Sequence, residues 1–529
     1  VNVGGTLKYE GRTGAAADAG DYGLFAARGV KVELYFPPGT LFDTTYANDA
    51  GVYQFAKPIP APDAAATAKI KVFTESKPNF AGAEVLKITN VAGTETYAWE
   101  SPAVNVLTPA GGFNHDFKDR ATLDYAFATH DMYITPMRYT NNLTLSGSGA
   151  TPFSVPVKFP IPGDSTFYDG TTEQVSHLEG DRFDWDVAGH EYGHGVAKKN
   201  GFQQGVGGFH SAAANLRFER GPGSMATTGA PDYDFKQTSQ LAFGEGFATY
   251  FSLVAQRVIG TPGNQRSNDT LYHDNDDANG TGLGTAASIE TNGAAFTSLG
   301  EDSEGSVQRI LWDLYDNANE AADRDRVTLG HAAVWNKINT NNVVTLNQFW
   351  GELETGASVK NKIDYGAIFE AHNVSPQPDD ATAPVIVDER DPSPKFIWKN
   401  PIGRATATAA LEKELLDSFT VLFFDSLFNQ IPVGSDIIKD TAINNLTNEL
   451  SYSLDAGQMG LLWESIGIAT GSGTVYWVVT GGNKDFDGTA ANFETGMYWS
   501  DARSFVMVPE PASISALLAL GMLVRRNRK

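Results

Sequence analysis

Hydrophobic and polar positions alternate through the first hundred residues. GVKVELYF (29–36), GVYQFA (51–56) and KIKVFTE (69–75) are β-rich runs separated by turn residues, which predicts an all-β segment over 1–110. From about 115 the period changes. Apolar residues recur at helical spacing over 121–130, 184–200, 239–259, 304–317 and 346–355, with longer loops between them, so 115–374 reads as α+β. SPQPDDATAP (375–384) carries three prolines and two acids among small residues and predicts a linker. Residues 385–507 begin extended and include one amphipathic run, ATAALEKELLDSF (407–419), that predicts a helix. They return to strands such as GTVYWVVTGG (473–482), and ETGMYWSDARSFVM (494–507) reads as a final hairpin. The expected fold is therefore multidomain, an α+β domain flanked by β-sandwich-like modules at both ends.

Composition narrows the class. In 529 residues, 41% hydrophobic and 19% charged, there is ample material for folded cores. The formal net charge of -24 repels phosphate backbones, so nucleic acid is not an expected partner. The absence of cysteine excludes disulfides, thiolate catalysis and cysteine-ligated zinc.

DVAGHEYGHGVAKKNG (186–201) carries the candidate chemistry. Asp184 or Asp186 can load the N-terminus of a helix, Lys198 and Lys199 fall in its last turn, and Gly201 can take the left-handed position after it. His190 and His194, four apart, project from one face and can share an ion. Glu191 is turned about 100° away around the helix. It is badly placed to ligate beside them but well placed as general base toward a water activated at the metal. Gly189, Gly193 and Gly195 each cost on the order of 1 kcal/mol of helix stability relative to Ala. A solvated surface helix would gain nothing from them, whereas close packing of another backbone would explain them.

A third ligand must come from elsewhere. The extended histidine motif fails, because Ala197 and Asn200 stand where Gly and His are required. SQLAFGEGFATYFSLVAQRVIG (239–260) predicts an apolar helix with Ser239 as N-cap, and Glu245 lies among Phe243, Phe247, Tyr250 and Phe251. A carboxylate there is costly to bury unless it is paired or bound to a metal. Glu219 is a weaker candidate, since glycines and a proline follow it.

His190-Glu191-Tyr192-Gly193-His194-Gly195, followed by Gly244-Glu245-Gly246-Phe247-Ala248, resembles gluzincin metallopeptidases of the fungalysin-like and thermolysin-like group. The likeness spans about 180–320 and includes the Leu-Trp-Asp-Leu helix within 300–316. It implies a zincin-like domain in which His190, His194 and Glu245 bind zinc and Glu191 is catalytic. It also implies that the strand before the motif helix binds a protein or peptide substrate by β-addition. Three departures stand out: a longer gap between His194 and Glu245, Thr249 where the family has an aspartate that orients a ligand histidine, and no counterpart of the oxyanion-stabilising histidine. Glu301, Asp302 and Glu304 occupy that last stretch, and His331, Tyr272 or His273 are the candidates to replace it. The acidic loop 272–282 offers Asp274, Asp276 and Asp277 as a candidate calcium site without EF-hand spacing.

Two flanking resemblances complete the expectation. ANDAGVYQF (47–55) resembles the hairpin of carboxypeptidase-regulatory-like (transthyretin-like) sandwich modules. At the other end, Val508-Pro509-Glu510-Pro511, a short apolar run over 512–524, and Arg525, Arg526, Arg528 and Lys529 resemble the PEP-CTERM sorting signal (508–529). That signal implies export in a Gram-negative envelope, transient membrane contact through the tail and removal by a sorting peptidase. The resulting expectation is an exported zinc metallopeptidase. The rival is a cell-surface binding or matrix protein with a structural or vestigial zinc site, which leaves the non-ligating Glu191 unexplained.

Overall fold

A computed structural model describes residues 1–12, 22–60, 66–77, 85–107, 113–145, 149–151, 154–203, 207–208, 210–221, 233–260, 271–274, 285–290, 299–317, 325–379, 384, 386–388, 394–401, 416–435, 438–439, 448–466, 473–483 and 497–508. It is a mixed α/β protein. The chain forms two compact units, Val1–Gln204 with Gly244–Ala295 and His331–Asn342, and Gly205–Phe243 with Phe296–Gly330 and Val343–Lys529. The chain passes between them repeatedly, so they cut across the contiguous domains expected at 1–110, 115–374 and 385–507.

In the first unit the described strands form two main sheets. The larger runs in the order Phe167–Asp169, Gln174–Leu178, Val155–Ile161, Leu86–Thr89, Thr67–Ser76, Val30–Tyr35, Leu41–Tyr46. In the smaller, Gly4–Arg12 pairs with His115–Phe117, Tyr22–Ala26 and Val52–Gln54. Alternation reads out directly: along Thr67–Ser76 every second side chain is buried, as a strand with one face on the core requires. The two sheets share one core. Leu7, Tyr9, Val32, Leu34, Ile70 and Val72 pack with Phe117 and Phe127, whose rings stack at 3.7 Å. Phe127 belongs to the helix Thr122–Leu145, and Val155–Ile161 adds in parallel to Leu86–Thr89. The boundary expected near 110 is thus crossed by both core and sheet. Burial of Arg28 against Asp131 crosses it again, with Nε to Oδ1 at 2.8 Å and Tyr9 donating to Oδ2.

The expected hairpin at 47–55 is a change of sheet. Its turn is built by Asn48, whose side-chain oxygen accepts from Ala50 N and Val52 N. Gly51 has φ +71°, and a Cβ there would lie 2.3 Å from the Leu7 carbonyl oxygen. The strand before the turn pairs in the larger sheet and the strand after it in the smaller.

The second unit joins helices Glu304–Tyr315, Leu346–Glu354 and Val359–Ala371 to a C-terminal sheet ordered Ile386–Asp388, Arg503–Val508, Gly473–Asn483, Leu416–Phe424, Gln430–Gly434. Tyr498 packs on Trp350 and Phe369, and Glu370 accepts from Asp501 N and the Arg503 guanidinium. The expected linker is therefore fastened where it is described. Ser375 and Pro376 are buried, and Gln377–Pro378 pairs with Lys395–Lys399.

The helix expected at 407–419 is corrected in its last four residues, while 407–415 lie outside the described residues. Leu416 begins a strand in which Phe419, Val421 and Phe423 point inward, and two-residue alternation against Gly473–Asn483 prevails over the helical pattern. The expected final hairpin is also different. Met497–Trp499 and Arg503–Val508 do not pair with each other but lie in series along Gly473–Asn483. At the break, Ser500 Oγ accepts from Val479 N and keeps that buried amide satisfied. The sorting-signal residues 509–529 lie outside the described residues. No helix among the described residues is long and apolar enough to cross a membrane.

Candidate metal centre

The motif helix, Trp185–Asn200, begins where Asp184 accepts from the backbone N–H groups of Asp186 and Val187. It ends at Gly201, φ +89°. Every residue from Trp185 to Ala197 is buried, so this is an interior helix. Its glycines face the helix Phe235–Ile259. A Cβ on Gly189 would meet Ser252 Oγ at 2.3 Å and Ser252 Cα at 3.1 Å, and one on Gly193 would meet Ala248 Cα at 3.1 Å. Polar groups fix the same contact, with Ser252 Oγ donating to the Asp186 carbonyl and Gln256 Nε2 to Asp186 Oδ1.

Phe235–Ile259 starts four residues earlier than expected. Asp234 Oδ1 accepts from Gln237 N while Gln237 Oε1 accepts from Asp234 N, a reciprocal cap that leaves Ser239 inside the helix and buried. Glu245 thus lies in mid-helix, where no free backbone N–H can stabilise its charge.

The two helices bring His190, His194 and Glu245 together. His190 Nε2 is 3.0 Å from His194 Nε2 and 3.1 Å from Glu245 Oε2, and His194 Nε2 is 3.2 Å from the same oxygen. Two imidazole nitrogens that close repel unless a proton or cation lies between them. A tetrahedral ion with bonds of about 2.0–2.1 Å to nitrogen and oxygen has ligand–ligand edges of about 3.3–3.4 Å. The three atoms are within a few tenths of an ångström of one face of that tetrahedron, and the donor set fits a divalent cation.

Electrostatics agree. Burial disfavours charge on His194, but the Glu245 carboxylate outweighs it and pushes its pKa up to about 9. Burial likewise opposes ionisation of Glu245, yet His194 and His190 hold its carboxyl well below the usual range. The cluster is built to keep Glu245 anionic and to attract positive charge.

Glu191 stands apart from the triad. Its Oε2 accepts from Tyr168 N at 2.7 Å. Tyr168 belongs to Phe167–Asp169, which lies at the end of its sheet among the described strands. Burial raises the Glu191 pKa, with the two histidines opposing and Glu245 adding to the rise. A buried, non-ligating carboxylate with a raised pKa beside a cation site has the properties of a proton acceptor.

No protein-family model matches this chain, and no curated protein matches it. What can be assigned to it rests on its own residues.

The other candidates fall in different places. The Tyr272 ring centroid is 5.9 Å from that of His190, carried by the strand Leu271–Asp274. His331 packs instead on Tyr139, 5.7 Å between ring centroids, and burial lowers its pKa. The side chains of His273 and Asp274 lie outside the described residues, as do Asp276 and Asp277 entirely. In the second unit Glu301 accepts from the Tyr498 hydroxyl and Asp302 from Thr238. Asp302 is pushed up to about 6 by burial, against the pull of Arg217. Glu304 Oε2 is 3.7 Å from His210 Nε2, and Glu219 accepts from Ser211 N.

Two contributors escape reasoning from motifs, the Tyr168 backbone and Gln203, whose side chain acts on His194, whereas Thr249 was marked by its position but not for its hydroxyl. Thr249 Oγ1 is 3.0 Å from His190 Nδ1. The signal for it was its position four residues after Glu245, on the same helix face.

Proposed function

We propose that this protein is an exported zinc metallopeptidase with a zincin-like catalytic arrangement, in which His190, His194 and Glu245 hold the ion. The observation that carries the reading is the separation of roles. Three side chains converge to 3.0–3.2 Å, while a fourth, Glu191, is buried beside them and held elsewhere by Tyr168 N. A structural ion site has no use for that fourth carboxylate. Zinc would supply Lewis acidity toward a peptide carbonyl and a lowered pKa for water. Glu191, with its raised pKa, would take the proton lost by the water that attacks the carbonyl carbon and deliver it to the leaving amine as the C–N bond breaks. Phe167–Asp169, at the end of its sheet among the described strands and tied to Glu191 through Tyr168 N, is the candidate to receive an extended peptide in the β-addition mode. The PEP-CTERM-like tail supports an envelope or extracellular location.

The test is metal content and peptide-library cleavage for the protein and for Glu191→Gln. About one zinc per chain in both, with cleavage lost only in the variant, is expected. Zinc without cleavage in either would establish a structural site. No metal in either would remove the reading.

A further inference from the structure

The two histidines meet their supports on the side away from Glu245, and both supports are uncharged. Thr249, buried one turn beyond Glu245, places Oγ1 3.0 Å from His190 Nδ1. A neutral imidazole that offers its Nε2 lone pair carries its proton on Nδ1, so Thr249 Oγ1 is the acceptor that selects this tautomer. His194 Nδ1 and Gln203 Oε1 are both buried without a hydrogen bond of normal geometry. Gln203 lies just past the end of the motif helix, and its amide covers Gly244, next to Glu245. A Cβ on Gly244 would stand 3.5 Å from both Gln203 Nε2 and Oε1. With Oε1 turned to His194 Nδ1, the amide would satisfy both atoms.

We propose that Thr249 and Gln203 are the positioning residues of His190 and His194, and that their neutrality sets this centre to bind its ion more weakly than carboxylates at the same places would. A carboxylate accepting the Nδ1 proton makes a charge-assisted bond and increases the donor strength of Nε2. A hydroxyl or amide oxygen orients the ring without that gain. The inference rests on the metal-binding reading above.

The experiment measures zinc Kd by competition with a chromophoric chelator, alongside thermal melts of the zinc-free protein. Thr249→Val, close to isosteric, is expected to weaken binding 10–100-fold, as is Gln203→Leu, while Thr249→Ser restores it. Thr249→Asp and Gln203→Glu are expected to tighten binding by tenfold or more. If Thr249→Val and Gln203→Leu, folded by their melts, bind zinc as tightly as the parent, the positioning role is wrong. If the carboxylate variants fold but bind no more tightly, the claim about neutrality is wrong. Failure of the parent itself to bind zinc overturns the underlying reading instead.

Discussion

Replacing Gly189 by alanine tests whether the contact between the two helices sets the metal site. The new Cβ would stand 2.3 Å from Ser252 Oγ, 2.9 Å from Ser252 Cβ and 3.1 Å from Ser252 Cα. The hydroxyl can swing away only by giving up its bond to the Asp186 carbonyl, and the other two atoms cannot swing at all. Ordinary carbon contacts lie at about 3.5–4.0 Å, so the helices must part by roughly 0.6 Å at this point. His190 is the next residue on one helix, and Glu245 lies seven residues from Ser252 on the other. The two edges that cross the contact, His190–Glu245 and His194–Glu245, would open from 3.1 and 3.2 Å to about 3.7 Å, beyond the edge of about 3.3–3.4 Å that a zinc tetrahedron spans. Zinc should bind at least about tenfold more weakly, or about 1.4 kcal/mol. Overpacking costs about 1–3 kcal/mol, and the better helix propensity of alanine returns up to about 1, so the zinc-free protein should lose about 1 kcal/mol. Chelator competition and a thermal melt read the two effects, and Gly189→Ala with Ser252→Gly should recover much of the affinity. Gly189→Ala that melts and binds zinc like the parent would refute the argument.

Other outcomes are expected elsewhere in the molecule. Asp131→Ala strands the Arg28 guanidinium in the interior and should cost about 3–5 kcal/mol in denaturant unfolding. Removing the more exposed Lys69–Glu100 pair should change little. His130 and His177 are fully buried, and burial lowers their pKa values to about 3 and about 4. Both are neutral when folded, so nothing is lost above pH 6.5. Below it the unfolded chain takes up protons the folded chain refuses, and the contribution of these two histidines to stability should fall by about 4 kcal/mol between pH 8 and pH 5. His130→Leu should remove about half of that slope, which unfolding curves at several pH values would show.

The motif helix was legible because its determinants are local: a capping aspartate, two histidines one turn apart and a terminal glycine. The glycines were legible too, since Gly189 and Gly193 do admit a neighbouring backbone. Strand periodicity located Val30–Tyr35 and Thr67–Ser76 within one or two residues. What escaped was non-local. Period finds a strand at 69–75 but does not say that Leu86–Thr89 and then Val155–Ile161 will extend its sheet. An Asn48-Gly51 turn looks the same whether its strands pair with each other or part to different sheets. The helical pattern expected over 407–419 gave way at Leu416–Phe419 to a long antiparallel partner. Thr249 read as a missing aspartate, because a motif records charge and not the reach of a hydroxyl.

The last described strand, Arg503–Val508, lies inside its sheet, between Ile386–Asp388 and Gly473–Asn483. Just before it, Tyr498 bonds Glu301 across 197 positions of chain, and Arg503 bonds Glu370 across 133. This unit cannot close as its residues emerge from a ribosome. Its interior waits for nearly the final strand, and the loop-closure entropy of those long separations falls on the transition state. Until then Trp350, Phe369 and Trp477 lack part of their cover, and the second unit folds slowly and only after Val508 has been made, the interval in which a holding chaperone has most to protect.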